Sequence, residues 1–167
     1  MGRCCRGEEG STIAEMALVL PIMLVVLTGI FSFGVALNQY LVLTNAVNNA
    51  ARGFAMSAPS KDAGTSVMNS GDPCQYSAQT IQSSATNMVT TNITYTITYS
   101  SYAGNTANTP TNTVYSGTGA SLPSCSGLKM YQYDYVTVKA VYPVTPVLYG
   151  WASRSLSLTA QSSEMIQ

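Results

Sequence analysis

A long stretch without charge near the N-terminus constrains this chain most. No charged side chain occurs from Met16 to Ala51, and the 22 positions from Met16 to Leu37 are mostly apolar. About 20 such residues span the hydrocarbon core of a bilayer as a helix. A buried core helix of this kind would need a larger core than the rest of a 167-residue chain can build. The stretch therefore predicts a membrane-spanning or exported segment at about 16–37.

The charges that flank this stretch predict its orientation. Arg3 and Arg6 precede it, and the next positive charge along the chain is Arg52. Cytoplasmic flanks of membrane helices are enriched in Lys and Arg. Two acids beside the first arginines weaken the bias, which still favours a cytoplasmic N-terminus and an extracytoplasmic domain over 57–167.

Three fates are open for the apolar stretch. A secretory signal peptide would use Ala17–Phe31 as its hydrophobic region and would be cleaved after the small residues Gly34-Val35-Ala36. An uncleaved helix would instead anchor the chain in the membrane. The third fate depends on Glu15, the acid that stands at the start of the stretch.

Glu15 closes the segment Gly10-Ser11-Thr12-Ile13-Ala14-Glu15. Carrying a carboxylate into the bilayer interior costs roughly 3 kcal/mol, so such an acid calls for a partner. Cleavage after Gly10 would create an α-amino group at Ser11, and the amine of a neighbouring subunit could then neutralise Glu15. The alternative is that the Glu15 side chain merely extends to the headgroups.

The apolar stretch predicts two further features of its helix. Pro21 lacks an N–H and crowds the carbonyl group one turn earlier, so we expect a kink there. Thr28, Ser32 and Ala36 recur every four residues and would form a face that another helix can approach closely. Chance spacing accounts for this pattern equally well, because small residues are common in membrane helices.

The helical pattern continues beyond the apolar stretch. Apolar spacing of i, i+3 and i+4 predicts a stripe that faces an external domain, with amide side chains mainly on the other side. The stripe comprises Leu37, Tyr40, Leu41, Thr44, Val47, Ala51, Phe54 and Ala55, and the amides are Asn38, Gln39, Asn45 and Asn49. We therefore expect one helix over 11–56, with its first half in lipid. Cleavage after Ala36 would divide this continuous helix.

Residues 57–167 are expected to form a small extracytoplasmic α+β domain. A loop over about 57–72 leads to Asp72-Pro73, which combines an N-cap residue with proline in the first helical turn. Apolar spacing extends the helix that follows to about Val89.

Alternating side chains predict the strands of this domain. One strand covers Ile93–Tyr99, a second covers Met130–Val141 before Pro143 and Pro146, and the last covers about 156–165. A long polar loop over 103–127, with a short strand near Val114-Tyr115, separates the first two. The expected assembly is an antiparallel sheet of three or four strands packed on the long helix.

Cys74 and Cys125 are the only cysteines in the external domain. In an oxidising compartment they would most simply form a disulfide. In the chain-entropy model, closing a loop of this length stabilises the folded protein by about 4 kcal/mol. Two free thiols or a metal-binding pair are the alternatives. Cys4 and Cys5 lie in the N-terminal segment, where we expect an incidental pair.

The composition argues against catalysis and nucleic acid binding. Charged residues make up 8% of the chain, the formal net charge is zero and histidine is absent. Nucleic acid binding requires clustered Lys and Arg, and the missing histidine removes Ser-His-Asp triads and the usual zinc sites. We expect no catalytic residues, cofactor, metal site or small-molecule substrate. The external acids, in which no catalytic pair is evident, are Asp62, Asp72, Asp134 and Glu164.

The N-terminal third resembles a known family. Gly10-Ser11 followed by Glu15 and an apolar helix resembles the cleavage site of type IV pilins and pseudopilins. With Leu20-Pro21 and Asn49-Ala50-Ala51-Arg52, the chain is similar to the TadE/TadG-like minor pseudopilins of tight-adherence (Tad, Flp) pilus systems.

This resemblance implies a pilin-like fold and a structural role. Residues 1–10 would be a leader removed by a membrane-embedded prepilin peptidase, and Glu15 would set the register between subunits. The partners would be other pilins, pseudopilins and Tad assembly proteins, in or on the inner (cytoplasmic) membrane. The alternative is an anchored or secreted domain that binds through the aromatic stripe Tyr131-Gln132-Tyr133-Asp134-Tyr135, although core packing is the commoner use of such residues.

Overall fold

The computed structural model describes residues 9–57, 72–102, 109–145 and 155–167. These residues form an α+β fold in which one long helix and one short helix pack on a four-stranded antiparallel sheet, as the sequence predicts. The elements are α1 (Glu9–Met56), α2 (Pro73–Ser84), a 3₁₀ turn (Thr90–Asn92), β1 (Thr94–Ser101), β2 (Thr111–Thr118), β3 (Tyr135–Val144) and β4 (Leu156–Met165).

Helix α1 is continuous over 48 residues, which corresponds to about 70 Å. The helix continues through Pro21 without a break. The expected kink there stays a prediction. The helix ends in a turn where the Ser57 N–H donates to the carbonyl oxygens of Gly53 and Phe54, both at 3.1 Å.

The two halves of α1 have different surroundings. Every side chain from Thr12 to Leu27 is exposed, and the first half-buried positions are Thr28 and Gly29. This exposed half is long and apolar enough to cross a membrane. The C-terminal half of α1 instead supplies one side of the core of the domain.

The core-facing stripe of α1 differs in part from the predicted one. The prediction is wrong at Leu37, Tyr40 and Leu41, which are exposed. The side chains of α1 that are fully buried are Leu43, Ala46, Val47, Ala50, Ala51 and Phe54.

Short side chains account for part of this difference, at the positions of α1 that contact α2. Helix α2 lies so close to α1 that the Ser77 hydroxyl reaches the Ala50 carbonyl oxygen at 3.4 Å. At Gly53, an added Cβ atom would lie 3.0 Å from the Tyr76 ring. Large apolar side chains cannot occupy a contact this close, so alanine and glycine mark the buried face here.

The sheet has the strand order β2-β1-β3-β4, with every neighbouring pair antiparallel. Alternate residues of β1 and β3 face the helices, and Tyr95, Ile97, Val136 and Val138 are almost wholly buried there. The opposite face carries mostly hydroxyl side chains. Together with α1 and α2, the inner face encloses one hydrophobic core.

Three predicted boundaries are wrong. Helix α2 ends at Ser84 rather than near Val89, because the Ala85 C-cap leaves the helical conformation (ψ 49°). Strand β3 begins at Tyr135, since Tyr133 has a left-handed φ of 71° that a strand does not accommodate.

The third correction concerns Pro143, which was expected to end β3. The strand continues to Val144. Beyond Val141 it pairs with β4 alone, with Pro143 opposite Ser157. Proline is tolerated where one side of a strand has no ladder to complete. In the predicted polar loop, β2 is also longer than expected and pairs with β1 over eight residues.

Several predictions lie outside the described residues. They concern residues 1–8 of the leader with Cys4 and Cys5, most of the loop at 57–72 with Asp62, and part of the loop at 103–127.

A substitution at the contact between the helices tests this packing. Ala50→Leu inserts three carbon atoms where α1 and α2 touch, so we expect it to lower the free energy of unfolding by about 1–3 kcal/mol. The neighbouring exposed position provides the control, because Asn49→Leu adds a similar side chain outside the core. Thermal unfolding of the full chain in detergent, followed by the near-UV circular dichroism of its tyrosines, measures both. Equal stability of the two variants would contradict the observed face.

Candidate functional site

The predicted processing motif lies at the start of α1. The described part of α1 runs from Glu9, so the Gly10–Ser11 peptide bond lies in its first described turn.

Glu15 lies four residues after Ser11, one turn further along the helix. Its side chain is exposed, as are its described neighbours up to Leu27. The next positive charge in the sequence is Arg52, which lies about 55 Å further along α1. A cation for Glu15 must therefore come from the N-terminal end of the chain or from another molecule.

Thr28, Ser32 and Ala36, the predicted small-residue face, point towards the domain of their own chain. They form one wall of a groove about 600 Å³ in volume. The Thr28 hydroxyl donates to the Leu24 carbonyl oxygen, which satisfies it within the helix. Packing of a second helix on this face stays a prediction. Gln39, which the sequence placed away from the domain, also lines the groove.

The opposite wall of the groove comes from the underside of the sheet. It includes Asn92 of the 3₁₀ turn, the end of β3 from Tyr142 to Val144, and Thr145 directly after the strand. The Tyr142 hydroxyl accepts a hydrogen bond from the Val89 N–H at 3.3 Å, which fastens the α2–β1 connection to this end of β3. No pattern in the sequence indicated this wall, because it brings together segments about 50 residues apart.

Cys74 and Cys125 form the predicted disulfide, with their Cα atoms 5.6 Å apart. Asp72 binds the backbone on both sides of it. Its carboxylate accepts from the Cys74 N–H at 3.0 Å, which caps α2, and from the Cys125 N–H at 2.7 Å. The Ser124 hydroxyl donates to the same carboxylate at 2.5 Å. Asp72 thus holds the helix start and the distant loop together.

Asp72, Cys74 and Cys125 form the only group of acids and cysteines in the described ranges that lies close enough for metal binding. A disulfide offers no thiolate, which is the form of cysteine that binds metals. In the oxidised protein, Asp72, Cys74 and Cys125 therefore act as a structural cluster.

Asp134 is buried beneath the tyrosines of the predicted aromatic stripe. It accepts a hydrogen bond from the Tyr99 hydroxyl, another from the Tyr102 N–H at 2.9 Å, and a longer one from the Tyr131 N–H at 3.3 Å. Burial, together with the bond to Asp134, raises the pKa of the Tyr99 hydroxyl far above its usual value. The acid thus fixes the loop before β3 to the end of β1.

The aromatic stripe is divided between loop and strand. Tyr133 lies in the loop with 66% of its side chain exposed. Tyr135 begins β3, and its ring meets that of Tyr102 edge to face with centroids 6.2 Å apart. Glu164, the last of the external acids, forms an ion pair in which its Oε1 atom lies 3.5 Å from Arg52 Nε.

Comparison with known proteins places the resemblance in the N-terminal helix. A family model, described as TadE-like protein, matches residues 10–52. The match begins at Gly10 and ends near the end of α1, and it covers about a quarter of the chain. No curated protein and no solved structure matches the chain significantly.

The role of Asp72 can be tested by removing its carboxylate. Asp72→Ala deletes the cap of α2 and leaves the Cys125 N–H without its acceptor, so we expect a loss of about 2–4 kcal/mol in unfolding free energy. Ser124→Ala is the control, because it removes one exposed donor and keeps the carboxylate. Urea unfolding of both variants under oxidising conditions provides the comparison. A loss below 0.5 kcal/mol, the size of an ordinary surface substitution, would rule out the bridging role.

Proposed function

We propose that this chain is a minor pseudopilin, a structural component of a Tad (Flp) pilus or a related secretion system. The observation that carries the proposal is the coincidence of the TadE-like match with α1. The matched segment includes Gly10, Ser11 and Glu15 at the spacing of a prepilin processing site. TadE-like proteins are associated with Tad pilus systems, which supports the assignment to this kind of assembly.

The two halves of α1 support an assembly role in physical terms. The exposed apolar half needs either lipid or apolar neighbours, since so large a surface is not stable in water. The buried half carries the domain. Before assembly, a subunit of this form can reside in the inner membrane with its N-terminus in the cytoplasm. On assembly it can exchange lipid for the helices of other pilins or pseudopilins.

The described acids of the external domain support a role without catalysis. Asp72 caps a helix, Asp134 fixes a loop and Glu164 forms an ion pair on the surface. We therefore propose that the chain is the substrate of a prepilin peptidase and has no enzymatic activity of its own. This role requires no cofactor, nucleic acid or small-molecule substrate.

Processing is the first test. When the full chain is expressed with a prepilin peptidase, we expect the mature protein to begin at Ser11, as measured by intact mass after membrane extraction. Gly10→Leu should leave the chain uncut, because the bulky side chain occupies the position before the cleaved bond. Gly7→Leu is the control within the leader and should still be processed.

Other N-termini would contradict this proposal. A mature chain that starts at Leu37 would indicate a secreted domain. An intact Met1 would indicate an ordinary membrane anchor. Either result would favour the alternative of an independent binding domain outside the cytoplasm.

The role of Glu15 is tested separately from processing. Glu15→Gln keeps the size of the side chain but cannot neutralise the Ser11 amine of a neighbour. We expect normal cleavage and roughly tenfold less protein in sheared pili, as the loss of one buried ion pair implies. Glu15→Asp preserves the charge and should recover most of the assembly. Wild-type levels of the Gln variant in pili would refute the register role.

A further inference from the structure

The groove between α1 and the underside of the domain has a mixed character. On the helix side, the short side chains of Thr28, Ser32 and Ala36 line it. On the domain side, Tyr142 and Pro143 provide an apolar wall. None of the described residues that line the groove is charged.

The groove lies at the level of a membrane surface if α1 crosses the bilayer. The uncharged stretch begins at Met16, and 20 residues from there, about 30 Å, end at Val35. Val35 lines the groove, as does Phe31, which is 75% exposed and lies one turn closer to the start of the span. The span of 16–37 expected from the sequence ends only two residues after Val35. The groove is therefore open to the hydrocarbon core at its Phe31 end and lies among the headgroups at its Gln39 end.

Gln39 provides a polar group at the domain end of the groove. Its Oε1 atom is buried and has no hydrogen-bond partner among the described residues. Leaving a buried acceptor unpaired costs about 1–3 kcal/mol. An occupant of the groove that donates a hydrogen bond here would remove this cost.

We propose that the groove binds one phospholipid with an ammonium headgroup, of the phosphatidylethanolamine type. The ammonium group donates to Gln39 Oε1, and the upper part of an acyl chain lies against Phe31 and Pro143. Phosphatidylglycerol has the same phosphate but only neutral hydroxyl donors, and these form a weaker hydrogen bond with Gln39 Oε1 than an ammonium group does. The proposal takes α1 as membrane-spanning and does not depend on the pilus role.

A second copy of the chain is a poorer occupant. The apolar part of α1, Met16–Leu27, carries no side chain that can donate a hydrogen bond. Its backbone N–H groups are used within the helix, apart from the one that Pro21 lacks. Such a helix could fill the apolar part of the groove but would leave Gln39 Oε1 unpaired.

Native mass spectrometry of the full chain tests the proposal. The protein in detergent micelles is mixed with equal amounts of dioleoyl-phosphatidylethanolamine and dioleoyl-phosphatidylglycerol. We expect one ethanolamine lipid per chain, in preference to the glycerol lipid. Gln39→Leu should reduce this binding about tenfold, as expected for a lost hydrogen bond to a charged group. Gln39→Glu keeps an acceptor and should retain the binding.

Two variants of α1 separate the groove from the rest of the helix. Ala36→Phe fills the groove and should abolish the bound lipid. Ile30→Phe places the same ring on the other side of the helix, where Ile30 is 65% exposed, and should leave binding unchanged. Near-UV circular dichroism checks that each variant keeps its fold, and Ser32→Phe replaces Ala36→Phe if that variant does not.

Three results would overturn the proposal. They are equal binding of the two lipids by the wild-type chain, unchanged lipid binding in a folded groove-filling variant, and a dimer that this variant dissociates. The last result would assign the groove to a second copy. None of these results bears on cleavage after Gly10, so failure here is distinguishable from failure of the pseudopilin proposal.

Discussion

The contact between the C-terminal half of α1 and the sheet is the interaction on which the rest of this structure depends. Six buried side chains from Leu43 to Phe54 form one side of the only hydrophobic core in the described parts of the chain. Without them, the inner face of the sheet would be open to water. The domain therefore cannot be separated from its helix, and any force on the helix acts directly on the core.

Two carboxylates stabilise this small core from its edges. Asp72 joins the start of α2 to the loop at Cys125, next to the disulfide. Asp134 joins the end of β1 to the loop before β3. Each acid accepts hydrogen bonds from segments distant in sequence, so each connects parts of the chain that local structure leaves independent. In a protein with few charged residues, half-buried and buried acids are thus used as acceptors for backbone N–H groups.

Much of the fold could be predicted from sequence because its signals are local. The uncharged stretch indicated α1, the Asp72-Pro73 pair marked the start of α2, and alternating side chains indicated β1 and β4. What the sequence could not indicate depends on contacts between distant segments. The buried face of α1 follows from the close approach of α2, and the start of β3 follows from a left-handed residue, Tyr133, that pattern alone does not reveal.

The candidate site divides in the same way. The spacing of Gly10 and Glu15 can be recognised directly in the sequence, since both lie in one helix. The groove could not be predicted from the sequence, because its second wall comes from β3 and from Asn92. The small residues Thr28, Ser32 and Ala36, which the pattern singled out, line this groove, and the packing of a second helix on them stays a prediction.

The polar groups of α1 suggest why its apolar stretch has the length it has. Glu15 and Gln39 are 24 residues apart, which corresponds to about 36 Å along the helix. This separation lies between the roughly 30 Å of a hydrocarbon core and the 40–45 Å of a whole bilayer. A helix that crosses a membrane upright would therefore hold the carboxylate in one headgroup layer and the amide in the other. Each group would then meet hydrogen-bond donors only at a membrane surface, so the pair would resist sliding of the helix in either direction until a new partner replaces the lipid.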